Sequence, residues 1–100
     1  MSLLSLPLSG KVAIVTGASR GIGAAVAERL AADGATVVVN YNSSRGAADT
    51  LVDRINAEGK GQAVAIKADM SSLVEAKQLV EDTFNRFGKL DILVDRKSVV

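Results

Sequence analysis

The sequence contains no cysteine and no histidine, and it has a single proline. Without cysteine there is no disulfide framework and no thiolate metal site, and without histidine the commonest metal ligand is missing too. We therefore predict no metal site. Only three residues are aromatic, namely Tyr41, Phe84 and Phe87, so a core must be built from Val, Ile, Leu and Ala. This composition suits strands that are buried on both faces of a parallel sheet.

Charge of either sign is not in excess, since the net charge is +1. The lysines and arginines are scattered and form no basic stripe, so we expect no nucleic-acid partner. The leucine-rich start lacks an early positive charge and is interrupted by Pro7, which is not typical of a secretory signal. No apolar run is long enough to cross a bilayer, so we expect no membrane partner and a cytoplasmic location.

Strand-like and helix-like segments alternate along the 100 residues. Short β-branched runs predict strands at 11–16, 36–40, 62–67 and 90–94, and apolar residues three or four apart predict helices at 22–33 and 44–58 and between Ser72 and Gly88. This alternation implies an α/β fold of parallel strands in the spatial order 3-2-1-4. We predict one partial domain over 1–100, with a leader at 1–10, a βαβαβαβ unit at 11–94 and a divergent tail at 95–100.

The predicted helices carry specific expectations about burial. The first is expected to bury a face formed by Ile22, Val26 and Leu30. In the third, Ser72 and Glu75 have the spacing of a capping box. The apolar stripe of the third helix is expected to consist of Leu73, Ala76, Val80, Phe84 and Phe87.

A glycine-rich turn, Thr16-Gly17-Ala18-Ser19-Arg20-Gly21-Ile22-Gly23, joins the first predicted strand to the first helix. A helix start has unpaired N–H groups and partial positive charge, so it attracts a pyrophosphate if the backbone can come close. Gly17 permits the sharp turn, Gly21 removes a side chain where phosphates approach, and Gly23 lets the helix pack tightly on the sheet. The turn therefore predicts a dinucleotide site, and a tight turn without a ligand is the alternative.

These residues resemble the opening of the short-chain dehydrogenase/reductase family, most closely 3-oxoacyl-carrier-protein reductases and related ketoreductases. Ala68-Asp69-Met70 and Leu90-Asp91-Ile92-Leu93-Val94 also match that family. The resemblance implies a Rossmann-type parallel sheet, truncated after the fourth strand. It also implies the N-terminal NADP(H)-binding half of an oxidoreductase that reduces a carbonyl or oxidises an alcohol by hydride transfer. The parent enzyme is then expected to be a homo-oligomer.

The end of the second predicted strand indicates which nicotinamide cofactor binds. An NAD site usually has an acidic residue there, whereas this chain has Asn40 and Tyr41 and lacks a carboxylate that would repel a 2′-phosphate. Arg20 could reach the same corner, and Ser43 lies at a helix start, where anions are favoured. In the resembled family a basic residue in the turn and an Asn-Tyr pair go with NADP. The alternative is that Arg20 and Arg45 are solvated surface charges.

Two further residues follow from the resemblance, which implies that Asp69 hydrogen-bonds the adenine amino group and that the Met70 backbone contacts the ring edge. An ordinary capping role for Asp69 is equally open. The predicted cofactor-binding residues are Gly17, Ser19, Arg20, Gly21, Ile22, Gly23, Asn40, Tyr41, Ser43, Asp69 and Met70.

The family pattern breaks after the fourth predicted strand, where Asp95-Arg96-Lys97-Ser98 replaces Asn-Asn-Ala-Gly. The family's catalytic Ser and Tyr-x-x-x-Lys would lie beyond Val100, and Tyr41 is expected at the adenosine end of the site. We therefore assign no catalytic residue and expect the chain alone to be inactive. Two alternatives stay open: a non-enzymatic module that binds a dinucleotide or a partner, and another Rossmann enzyme such as a methyltransferase.

Overall fold

Strands and helices alternate in the computed structural model, which describes residues 6–95. The elements are β1 (Val12–Val15), α1 (Gly21–Ala32), β2 (Thr36–Tyr41), α2 (Arg45–Glu58), β3 (Gln62–Lys67), α3 (Leu73–Phe87) and β4 (Ile92–Val94). The strands form a parallel sheet in the order β3-β2-β1-β4. The predicted fold class and strand order are therefore confirmed, although β4 is two residues shorter than predicted. Within residues 6–95 no helix is long and apolar enough to span a membrane.

The register of the sheet places the ends of the strands side by side. Val15 of β1 pairs with Val39 of β2, which pairs with Ala65 of β3, while Val94 of β4 lies on the other side of Val15. Since all four strands run in the same direction, the segments that follow them leave the sheet at the same edge.

Helices cover both faces of the sheet, and successive strand residues alternate between these faces. Val37 and Val39 of β2 pack with α1 and α2, whereas Val38 packs with α3. In β3, Ala63 and Ala65 share the first face, and Val64 and Ile66 share the second. The core is aliphatic apart from Tyr41, which is buried on the face that α1 and α2 cover.

The part of the predicted leader that the structure describes, residues 6–10, lies beside the turn between α1 and β2. The backbone N–H of Leu8 donates to the carbonyl of Asp33 at 2.7 Å, and the Leu8 side chain packs on the core that α1 and α2 share. Residues 1–5 of the leader and 96–100 of the tail lie outside the described residues.

The predicted face of α1 is partly wrong. The buried residues of α1 are Gly23, Ala27 and Ala31, and Ile22 is 71% exposed. Val26 and Leu30 lie partly buried at the margin of the contact. Only small side chains fit where the helix comes closest to the sheet and the turn, so the larger apolar residues flank that line.

The predicted stripe of α3 is also wrong in part. Leu79 and Thr83 are buried, whereas Leu73 is 87% exposed and Phe84 is about half exposed. Thr83 is buried despite its hydroxyl because that group donates to the carbonyl of Leu79 at 2.9 Å. Leu79 and Thr83, four residues apart, face the sheet, and this places Leu73 and Phe84 at the outer margin of the helix.

Half of the predicted capping box is present at the start of α3. The Ser72 hydroxyl accepts from the N–H of Glu75 at 3.3 Å. The Glu75 carboxylate reaches past Ser72, however, and accepts from the N–H of Asp69 at 2.8 Å. Glu75 therefore fixes the segment between β3 and α3, which leads into the site described next.

Candidate functional site

A cavity of about 360 Å³ opens at the edge of the sheet where β1, β2 and β3 end. Its lining residues all follow or finish one of these strands: Thr16, Gly17, Asn40, Asn42, Ala68, Asp69 and Met70. Four of the predicted residues, Gly17, Asn40, Asp69 and Met70, thus lie together. Sequence reasoning missed Thr16, Asn42 and Ala68, although their positions at predicted strand ends would have indicated them.

The glycine-rich turn runs from Gly17, which lines this cavity, to the start of α1. Gly17 has φ 58° and Gly21 has φ 67°, a left-handed conformation that residues with a Cβ rarely adopt. Arg20 occupies the N-cap position with extended backbone, and among the described residues its side chain makes no hydrogen bond that caps α1. The N–H groups of the first turn are therefore not capped by the N-cap side chain, which suits an anion.

Gly21 and Gly23 have different roles from each other. A Cβ on Gly21 would meet no atom of residues 6–95 within 4 Å, so it would stand in open space at the start of α1. A Cβ on Gly23 would lie 2.7 Å from the carbonyl oxygen of Gly17. Gly23 is thus needed for close packing of α1 on the turn, whereas we predicted packing on the sheet.

Arg20 connects the turn to the start of α2. Its Nη2 donates to Oγ of Ser44 at 2.9 Å, across 24 positions in the sequence. Ser44 is the N-cap of α2, so the guanidinium lies at a second helix N-terminus, next to the exposed Ser43. The first turn of α2 contains no acidic residue. A positively charged side chain and a helix N-terminus, which both favour a bound anion, therefore coincide at this corner.

The other predicted residues of the turn and of β2 differ in exposure. Ile22 is exposed at the start of α1, and Ser19 is half-buried in the turn. Tyr41 is buried in the core beside α1 and α2 and is not among the residues that line the cavity. The structure therefore does not bring the Tyr41 ring into the cavity.

Asn40 is 2% exposed, and its side chain is held by backbone groups. Oδ1 accepts from the N–H of Gly17 at 3.2 Å, and Nδ2 donates to the carbonyl of Ala68 at 3.2 Å. The predicted position is therefore at the site, but its amide is engaged with the protein itself.

Asp69 lies in a tight turn between β3 and α3. Its Oδ1 accepts from both the N–H and the hydroxyl of Ser71, at 2.9 and 2.6 Å. These bonds close an Asx-type turn, so a local structural role is present alongside the position on the cavity wall. Half-buried Met70 follows it and packs against the core on the α3 face.

Two carboxylates flank the β1–β4 pair at its opposite ends. At the cavity end, the Thr16 hydroxyl donates to Oδ1 of Asp95 at 3.1 Å. At the far end, the N–H of Val12 donates to Oδ2 of Asp91 at 2.9 Å, and Nζ of Lys89 lies 3.4 Å from the same oxygen. The Val12 hydrogen bond, assisted by Lys89, holds the pKa of Asp91 below its ordinary value.

A family model described as short chain dehydrogenase matches residues 11–98. An uncharacterised oxidoreductase of Methylorubrum extorquens is 56% identical over 92 residues, which are 92% of this chain and 37% of that protein. Elsinochrome reductase 1 of Elsinoe fawcettii is 50% identical over 93 residues, which are 93% of this chain and 34% of that protein.

Solved structures match in the same way. A dehydrogenase/reductase from Sinorhizobium meliloti superposes with a TM-score of 0.86 at 45% identity, over 94% of this chain and 37% of that one. A short chain dehydrogenase from Burkholderia cenocepacia, in complex with NADP, superposes with a TM-score of 0.81 at 50% identity, over 86% of this chain and 35% of that one. The chain therefore spans about a third of the length of the relatives that it matches.

Proposed function

The chain belongs to the short chain dehydrogenase family, and we propose that it is the NADP(H)-binding part of an oxidoreductase. When bound, NADPH would donate a hydride to a carbonyl carbon, or NADP⁺ would accept one from an alcohol carbon. Membership of this family leaves no role for the methyltransferase alternative. The observation that carries the proposal is the Arg20 guanidinium at the start of α2, together with a cavity that is lined in part by Gly17 of the same glycine-rich turn.

The start of α1 fits the pyrophosphate of a dinucleotide. The first-turn N–H groups, the partial positive charge of the helix and the space in front of Gly21 all favour a close anionic group. We assign this part of the site to the turn from Gly17 to Gly23, including Ser19 and Ile22. These residues bind and orient the dinucleotide and take no part in proton transfer.

The corner formed by Arg20, Ser43 and Ser44 fits the 2′-phosphate that distinguishes NADP from NAD. A guanidinium donates charge-assisted hydrogen bonds to phosphate oxygens, and the serine hydroxyls can donate as well. Residues 40–44 include no carboxylate that would repel the phosphate. The Burkholderia cenocepacia relative was crystallised with NADP, which supports the same choice.

The adenine is assigned to the Asp69 side of the cavity. Asp69 and Met70 line it together with Ala68, at the end of β3. The Asp69 carboxylate is oriented by Ser71, so it would accept from the adenine amino group without further ordering of the side chain. The Met70 backbone would then lie against the edge of the ring.

We assign no catalytic residue to this chain and propose that it reduces no carbonyl by itself. Tyr41 is the only tyrosine, and it is buried in the core. Arg45, four residues later, pairs with Asp49 at 3.6 Å and does not accompany Tyr41 into the core. NADPH oxidation measured with a panel of ketones checks this point, and measurable turnover would contradict it. We also propose that the protein is cytoplasmic and that the longer oxidoreductase is a homo-oligomer.

Titration of the chain with NADPH and NADH, followed by nicotinamide fluorescence or calorimetry, tests the cofactor assignment. We expect tighter binding of NADPH. Equal or tighter binding of NADH would overturn the NADP assignment. Binding of neither nucleotide would overturn the dinucleotide site itself. Nucleotide binding without turnover in the proposed longer protein would favour a non-enzymatic module.

A further inference from the structure

Asn40 joins three segments that are distant in the sequence. Its Oδ1 accepts from the N–H of Gly17 in the turn after β1. Its Nδ2 faces the carbonyls of Ala68, at 3.2 Å, and Ile66, at 3.4 Å, at the end of β3. Its own backbone carbonyl accepts from the N–H of Ala18 at 3.0 Å. The residue thus bonds to both sides of the cavity from the strand between them.

These contacts need both halves of an amide. The N–H of Gly17 requires an acceptor, and the carbonyls of Ile66 and Ala68 require donors. A carboxylate would keep the first bond but would turn an oxygen towards two carbonyl oxygens at a position that is 2% exposed. An aliphatic side chain of the same size would leave buried backbone groups without this partner.

We propose that Asn40 is a positioning residue, which fixes the phosphate-binding turn against the end of β3 and does not itself select between NADP and NAD. The role in nucleotide binding rests on the proposed function, whereas the role in holding the turn does not. An acidic residue at the end of the second strand usually favours binding of NAD. At position 40, however, we expect an acidic residue to weaken the binding of both NADP and NAD.

Amide hydrogen exchange of the nucleotide-free chain tests the positioning role. In the chain without substitutions, called the parent below, the side-chain amide of Asn40 should exchange more slowly, by about tenfold or more, than that of the exposed Asn42. In Asn40→Ala, exchange at Gly17 should accelerate about tenfold while that at Val38 stays as in the parent. Asn42→Ala is the matched control and should leave Gly17 unchanged.

Fast exchange of the Asn40 amide in the parent, or unchanged exchange at Gly17 in Asn40→Ala, would overturn the proposal. The parent measurement needs no variant, so it decides the matter even if Asn40→Ala unfolds. Because neither measurement requires a nucleotide, a chain that bound no dinucleotide would contradict the proposed function and leave this test intact.

Binding by Asn40→Ala and Asn40→Asp tests the second half of the proposal. Both variants should lower the affinities for NADPH and NADH, and Asn40→Ala should lower them by the same factor. A gain in NADH affinity in Asn40→Asp, or a loss in Asn40→Ala confined to NADPH, would show instead that Asn40 selects the cofactor.

Discussion

In the proposed site, Arg20 is the side chain on which discrimination between NADP and NAD would depend. It extends from the glycine turn to the N-cap of α2, and its hydrogen bond to Ser44 holds the guanidinium where two segments meet. The second arginine nearby, Arg45, is directed along α2 towards Asp49. The two residues therefore carry the same charge within one region but differ in what they face.

We expect Arg20→Ala to remove about 1–3 kcal/mol of the preference for NADPH over NADH, the range of a charge-assisted hydrogen bond. Binding of NADH should change little, because the lost partner is the 2′-phosphate. Calorimetric titration of both nucleotides checks this. Arg45→Ala is the control, with the same loss of charge and the preference retained. Equal losses for both nucleotides in Arg20→Ala would place Arg20 outside the 2′-phosphate corner.

For single residues, the sequence motif predicts part of the candidate site. The spacing of Gly17, Gly21 and Gly23 is local information, and so is the cation between them. The burial of Asn40 and Tyr41 depends on how β2 pairs with its neighbours and on which face each residue takes. A sequence pattern predicts that a residue lies at a strand end, but only the assembled sheet shows whether its side chain is already engaged by backbone groups.

The turn and α1 act as one element because Gly23 packs directly on Gly17. The helix is held to the sheet through Ala27 and Ala31, which lie deeper in the core. Disturbance at Gly21 should therefore affect the approach of a ligand more than it affects the helix.

Gly21→Val should abolish dinucleotide binding while the helical signal in circular dichroism stays close to that of the parent. The new side chain would stand in the space at the start of α1, and the positive φ would add strain of about 1–3 kcal/mol. Gly59→Val is the control, since a Cβ on Gly59 would also stand in open space and its φ is likewise positive, at 74°, but Gly59 lies at the C-terminal end of α2. Parent-like affinity in Gly21→Val would reduce the turn to a structural feature.

The pair of β1 and β4 is extended by Asp91 at the end away from the cavity. The Asp91 N–H donates to the Val12 carbonyl at 2.8 Å, and its carboxylate accepts from the Val12 N–H. Because the folded-state pKa is lowered, this carboxylate stabilises the fold above its unfolded pKa. The stabilisation is lost as the pH falls from the unfolded pKa through the folded pKa.

Asp91→Asn should therefore reduce the free energy of unfolding more at neutral pH than at about pH 3, which is below the ordinary pKa of aspartate. Urea unfolding of parent and variant at both pH values measures the difference. Asp53→Asn, on the exposed side of α2, controls for the general effect of removing a carboxylate. A difference between parent and Asp91→Asn that is independent of pH would contradict the linkage.

The order of the elements and the order of the strands follow from the sequence because they depend on local periodicity and on the alternation of strands and helices. The exact buried faces of α1 and α3 do not. Close approach of α1 selects small residues, and the buried Thr83 satisfies its hydroxyl within its own helix. Both outcomes depend on the distance between the helix and the sheet, which hydrophobic spacing does not encode.

The sheet as a whole has β4 at one edge. Leu93, in the middle of β4, is 53% exposed, and an edge strand presents N–H and C=O groups that can pair with another chain. The chain covers 37% and 34% of the length of two relatives. In the doubly wound strand order 3-2-1-4-5-6, further strands follow on the β4 side.

The purified chain should associate through β4 in a concentration-dependent manner. Leu93→Lys should shift the population towards monomer, because a charge on an edge strand disfavours pairing. Leu73→Lys is the control, since Leu73 is also exposed but lies on α3. Sedimentation velocity measures the distribution. A sharp monomer peak for the parent, with a cooperative thermal transition, would show that this edge does not drive association.

Backbone amide shifts recorded while the chain is titrated with NADP⁺ and with NAD⁺ test the central claim most directly. We expect both nucleotides to shift Gly17, Gly21 and Gly23 together with Asp69, and we expect only NADP⁺ to shift Ser43 and Ser44 strongly. Amides in the second half of α3, such as Thr83, should not move. Shifts that omit the glycine turn, or that affect Ser43 and Ser44 equally with both nucleotides, would contradict the assignment of an NADP site to the ends of β1, β2 and β3.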